Sequence, residues 1–137
     1  MKISEVMTHD VQTILPEQSI QEAASMMQRI DSGALLVHQG ERLVGMITDR
    51  DIAIRAVAQG MSPDTPVRQV MSSGIRYCFD DEDVQHVAQN MADIQMRRLP
   101  VLNREKRLIG VVSLGNIASI NSQRASDTVL RGVAKAH

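Results

Sequence analysis

The chain repeats itself. An offset of 64 positions lays Ile3 on Val67, Val6 on Val70, Met7 on Met71, Ile20 on Val84, Ala24 on Ala88, Met27 on Met91, Ile30 on Ile94, Leu35 on Leu99 and Val37 on Val101. One inserted residue then moves the offset to 65, so that Leu43 falls on Leu108, Gly45 on Gly110, Thr48 on Ser113, Asp51 on Asn116 and Ile52 on Ile117. Such a period restricts the fold to one supersecondary unit used twice. One half of a chain of 137 residues buries too little surface to be comfortable alone. The two halves are therefore predicted to pack face to face about a pseudo-twofold axis.

Each half opens with a short segment, ISEVM or VRQVM, followed by an extended piece, VQTIL or IRYCF, whose alternation suits a strand. A helix is predicted next, after Ser19 and Glu22 in a capping-box pattern in the first half and after Asp80, Asp81, Glu82 and Asp83 in the second. Then come a strand (GALLV or RLPVL), a polar turn (HQGER or NREKR), a second strand and a second helix. The order strand-helix-strand-strand-helix, with two strands joined by a tight turn, predicts an α+β fold with mixed sheets and argues against a dinucleotide-binding unit. The expected division is 2–58 for the first repeat, 59–66 for a Gly- and Pro-punctuated linker, 67–121 for the second repeat and 122–137 for a tail with helical character.

The chemistry concentrates at the end of the second strand of each repeat. LVGMI reads as a buried strand, and Thr48, Asp49, Arg50 and Asp51 follow it at a helix start. That corner aims backbone N–H groups beyond the strand, where phosphate is a natural guest. A threonine hydroxyl donates to phosphate, and a carboxylate three residues on accepts from a ribose diol. The same two side chains also serve simply as helix caps, and both readings stand at this point. The second repeat has Ser113 and Asn116 in these places.

Other classes find little support. Fifteen basic against sixteen acidic residues give a net charge of −1, which supplies no field for nucleic acid or an anionic membrane. No apolar run approaches the ~20 residues of a membrane span. The single cysteine, Cys78, forms no internal disulfide, and the N-terminal MKISEVMTHD lacks a secretory apolar core, so a cytoplasmic location is expected. The cluster Asp80 to Asp83 could cap a helix or, with His86, hold a metal; its spacing fits no known metal loop, and no metal is predicted. Neither Cys78 nor any of the four histidines comes with the neighbours that nucleophilic or acid–base catalysis needs, so no enzyme is predicted. The nine methionines, in a chain whose only aromatics are Tyr77 and Phe79, are read as core filling.

EVM and QVM at the openings, GALLV and RRLPV in the middle strands, and GMITDRD and GVVSLGN at the ends, repeated in register over about residues 2 to 121, resemble a tandem pair of CBS domains, the Bateman module, in its stand-alone bacterial form. The resemblance implies a disc holding up to two adenosine-type ligands (AMP, ADP, ATP, S-adenosylmethionine or NAD(H)), with no obligatory cofactor. It also implies homodimerisation through helices, a regulatory role and an effector protein whose identity the sequence does not reveal. The family motif implies that Thr48 and Asp51 contact phosphate and ribose in one site, and Ser113 and Asn116 in the other. Arg97 and Arg98 match positions where the family places phosphate-holding basic side chains, and Arg50 and Arg55 lie beside the first motif. The adenine is expected against Thr13, Ile14, Ala34 and Leu36 in one half and Tyr77, Cys78 and Pro100 in the other. Because an amide accepts less well than a carboxylate, the Asp51 site is expected to be the better nucleoside site. The alternative function is a dimeric, non-catalytic scaffold that binds no ligand.

Overall fold

In the first repeat the Ser19 hydroxyl accepts the Glu22 N–H at 3.1 Å and starts helix α1 (Ile20–Ile30), whose buried face is Ile20, Ala23 and Met27. The expected capping box is only half formed, because the Glu22 carboxylate takes the Gln18 side-chain amide at 2.7 Å instead of returning to Ser19. In the second repeat Asp83 alone receives the Gln85 and His86 N–H groups and starts α3 (Val84–Asp93). The acidic cluster thus acts in part as a cap. Asp81 is engaged by Arg104, whose Nε and Nη2 reach its two oxygens at 2.7 to 3.1 Å.

The structure is a computed structural model that describes residues 1–120; the expected tail at 122–137 lies outside the described residues. It divides into two compact units. The first holds residues 11–76 with 106–108. Its strands β1 (Thr13–Ile14), β2 (Ala34–Gln39) and β3 (Arg42–Thr48) form one sheet in the order β1-β2-β3. β1 runs parallel and β3 antiparallel to β2, the mixed sheet expected from a tight hairpin. Gly40, at φ +64°, makes the hairpin turn, a conformation that suits glycine. β3 runs straight into a helical turn, α2 (Asp49–Asp51), which widens into a π-helical coil over Ile52–Val57 closed by the Ala58 N–H on the Ala53 carbonyl.

The second unit holds residues 1–10, 77–105 and 109–120. Its sheet has the order β4-β5-β6, from β4 (Cys78–Phe79), β5 (Arg98–Leu102) and β6 (Leu108–Ser113), and the chain is helical from 114 to 120.

Besides residues 106–108, the repeats and the compact units differ by one exchanged opening segment each. Val67 and Val70, from the opening of the second repeat, belong to the core of Ile14, Ile20, Ala23, Met27, Leu35, Val37, Ile47 and Ala56 in the first unit. Ile3 and Val6, from the opening of the first repeat, complete the core around Val84, Val87, Met91, Leu99, Val101 and Val112 in the second. Backbone bonds fix both arrangements: Val67 N–H to Gln18 O at 2.8 Å in one unit, Ile3 N–H to Glu82 O at 2.9 Å in the other. Each opening segment then adds a two-bond bridge to the motif strand, Ser72 with Met46 and Thr8 with Val111.

Candidate functional site

Strand alternation gives each sheet two faces. In the first unit Ile14, Leu35, Val37 and Ile47 point into the core. Thr13 pairs with Leu36, and Ala34 lies opposite Thr48, so Thr13, Ala34, Leu36, Met46 and Thr48 share the other face. Leu36 is buried there without belonging to the core cluster. Four of the sequence-predicted residues are thus brought together. Ile14 is not: its side chain is 1% exposed in the core, and only its backbone remains to meet a ligand.

Asp51 is held at the edge of that face by a reciprocal cap. The Thr48 N–H donates to Asp51 Oδ2, and the Asp51 N–H donates to the Thr48 hydroxyl, both at 3.0 Å. This cap does not exhaust the pair. The Thr48 hydroxyl, acting as acceptor, keeps its proton to donate, and among the described residues Asp51 Oδ1 has only the Arg55 Nε at 3.9 Å. The Asp51 side chain retains 18% exposure, so Oδ1 is an acceptor within reach of a small molecule. Arg50 is exposed beside it, its N–H bonded to Asp49 Oδ1 at 2.8 Å.

The corresponding corner of the second unit differs in polarity. Asn116 Oδ1 accepts both the Ser113 N–H at 3.3 Å and the Ser113 hydroxyl at 2.7 Å, while the Asn116 N–H donates back to that hydroxyl at 3.0 Å. The serine proton is consumed internally, and the side-chain donor left at this corner is the Asn116 amide nitrogen. The Leu114 N–H bonds the Arg97 carbonyl at 2.9 Å, as the Asp49 N–H bonds Gly33. This shared register puts Arg98 beside Ser113 as Ala34 stands beside Thr48, on the face of Pro100 and Leu102. Arg97 and Arg98 are both exposed.

Tyr77 and Cys78 are separated by alternation. Cys78 lies in the core, its thiol donating to the Pro100 carbonyl at 3.8 Å. Tyr77 is 40% exposed and meets Phe79 edge-on, with centroids 5.6 Å apart. Phe79 also carries the Arg104 guanidinium 4.1 Å above its ring. A hollow of about 300 Å³ lined by Met27, Gln28, Asp31, Ser32, Gly33 and Asp49 involves none of the predicted site residues.

Burial, with a smaller contribution from the Glu82 charge, pushes the Cys78 thiol up to about 12. A thiol so held is no nucleophile near neutral pH. Since the unfolded thiol ionises near its ordinary 9.0 while the folded one stays protonated to about 12, Cys78 favours the folded state fully below pH 9 and loses that contribution as pH rises through this window. Denaturant unfolding at rising pH is expected to show a stability decline that Cys78→Ala removes, and a thiol reagent at pH 8 should label the protein only on unfolding. Rapid native labelling would contradict the burial argument.

Among the described residues no three His, Cys, Asp or Glu side chains gather as metal ligands would, and no helix is long and apolar enough to cross a membrane. Two features escaped the sequence reading. The motif glycines are packing sites: Met71 Sδ lies over Gly45 and Met7 Sδ over Gly110. Arg55 reaches both Asp51 and the carbonyls of Val70 and Met71. The repeated VM and G in register was the one available signal for the first.

Comparison with known proteins gives a consistent picture. A profile of the CBS domain matches residues 3–57 and 67–122. The CBS domain-containing protein YhcV of Bacillus subtilis is 42% identical over 116 residues, covering 85% of this chain and 82% of its own. The crystal structure of Hypoxic Response Protein I with two coordinated zinc ions superposes with a TM-score of 0.77 at 31% identity, covering 87% of this chain and 98% of that one. The CBS domain pair of protein MJ0100, in complex with 5′-methylthioadenosine and S-adenosyl-L-methionine, superposes with a TM-score of 0.75 at 26% identity, covering 90% and 98%.

Proposed function

This chain belongs to the CBS domain family, carrying two copies of the domain, and on that footing we propose that it is a regulatory module that senses adenosine-containing ligands. The observation that carries the reading is the Thr48–Asp51 corner. Its cap leaves one hydroxyl proton and one carboxylate oxygen unspent on the face shared with Thr13, Ala34 and Leu36. Asp51 Oδ1 accepts from the ribose hydroxyls, the Thr48 hydroxyl and Arg50 meet the 5′ substituent, and the adenine lies against Ala34, Leu36, Thr13 and the Ile14 backbone. The adenosyl complex of the MJ0100 pair supports this ligand class.

The second corner reads phosphate rather than sugar. Arg97, Arg98 and the Asn116 amide are donors, with Ser113 fixing the amide; Pro100, Tyr77 and the Cys78 backbone border it. AMP, ADP, ATP, S-adenosylmethionine and NAD(H) all fall within this chemistry. The module acts as a cytoplasmic homodimer on an effector protein, and exposed Ile54 and Val57 on the π-helical coil, at 50% and 66%, supply an apolar surface for such a dimer.

Calorimetry with adenosine, AMP, ATP and S-adenosylmethionine tests the reading. At a hundredfold excess over Kd a ligand specific to the folded form adds about 2.7 kcal/mol of stability. Arg98→Ala should weaken ATP about three- to fivefold, as expected of an exposed charge, and leave adenosine unchanged. Binding of none of the four would replace sensing by the scaffold function.

A further inference from the structure

We propose that Arg55 is a positioning residue that links the Asp51 corner to the opening segment of the second repeat; the link rests on the sensing function only for its use. Its guanidinium stands among three acceptors: Nε 3.9 Å from Asp51 Oδ1, and Nη1 3.4 Å from the Val70 carbonyl and 3.5 Å from the Met71 carbonyl. All three contacts are long, and the side chain is 55% exposed, so the cation is shared rather than locked. The two carbonyls end the helical turn Val67–Gln69, and the next residue, Ser72, is bonded twice to Met46 on β3. Met71 itself packs its sulfur over Gly45 in the same strand.

The arrangement makes the grip on the segment depend on the state of the carboxylate. While Asp51 Oδ1 has no other partner, it holds part of the guanidinium charge. Hydroxyl donors from a ribose satisfy that oxygen, and the cation then turns to the Val70 and Met71 carbonyls. By linkage, a tighter segment favours the occupied carboxylate to the same degree. The equivalent position of the second unit carries no cation. The residue equivalent to Arg55 under the offset of 65 is Ile120, a partly buried side chain packed on the second core.

Amide exchange at Met46, Met71 and Ser72 in the ligand-free protein tests the link through a double-mutant cycle of Asp51→Asn and Arg55→Leu. Arg55→Leu is expected to speed exchange at Met46 and Ser72 about three- to fivefold, the scale of an exposed ion pair. Asp51→Asn, which frees the cation, should slow it, and should have no effect in the Arg55→Leu background. Arg55→Lys, which keeps the charge without the fork, should fall between. Equal effects of Asp51→Asn in both backgrounds, or none in either, would overturn the proposal. AMP added to the wild type is expected to slow Ser72 exchange, and to bind Arg55→Leu without slowing it. Failure of AMP and the other ligands to bind would remove the sensing function, while the ligand-free cycle would still decide the link.

Discussion

Asp51→Ala is expected to weaken adenine nucleotide binding by about 1.5 to 3 kcal/mol, the range for a hydrogen bond to a charged group. The same change strips the Thr48 N–H of its acceptor, at a cost of about 0.5 to 2 kcal/mol in stability. The two effects separate in Asp51→Asn, which keeps an amide oxygen for the cap and loses the charged acceptor. The protein already contains that arrangement at Asn116, where Oδ1 is consumed by the serine. Asp51→Asn should therefore melt close to wild type while losing most of its affinity for adenosine and AMP in calorimetry. Full affinity in Asp51→Ala would remove Asp51 from the ligand site.

The largest loss of stability is expected from Gly110→Ala. A Cβ there would stand 2.7 Å from the Thr8 carbonyl and 2.8 Å from Met7 Sδ; at Gly45 it would run into Met71 Sδ and stand 3.0 Å from the Ser72 carbonyl. A thioether swings aside cheaply, whereas the Thr8 carbonyl is tied to Val111 and has nowhere to go. Gly110→Ala should cost about 2 to 3 kcal/mol and Gly45→Ala about 1 to 2, within the range of overpacked interiors. Urea denaturation measures both. Met71→Ala should relieve much of the Gly45→Ala loss, and Met7→Ala little of the Gly110→Ala loss; the reverse order would contradict the backbone argument.

Much of this fold was legible because repetition let weak local signals confirm one another. The order of strands and helices, the mixed sheets and the capping roles of Ser19, Asp83, Thr48 and Asp51 all follow from short-range chemistry. The ownership of the opening segments was not legible, for a physical reason. Ile3 and Val67, and Val6 and Val70, are nearly interchangeable apolar fillers, so hydrophobic patterning is the same whichever core they enter. The π-helical coil was hidden likewise, since Ile52, Ala53, Ala56 and Val57 suit a helical face of either width. At the candidate site, the expected pairs Thr13 with Ile14 and Tyr77 with Cys78 divide between two faces, because neighbours on a strand face opposite ways. The internal bonding of Ser113 and Asn116 depends on hydroxyl and amide orientation, which a sequence does not carry.

The traded openings bear on how such a chain can arise. A single copy that packed this way would have an incomplete interior until a second copy lent it the missing piece. A cut at the linker would separate each half from the piece that fills it, whereas breaks after Asp10 and after Arg76 leave only residues 106–108 across a physical seam.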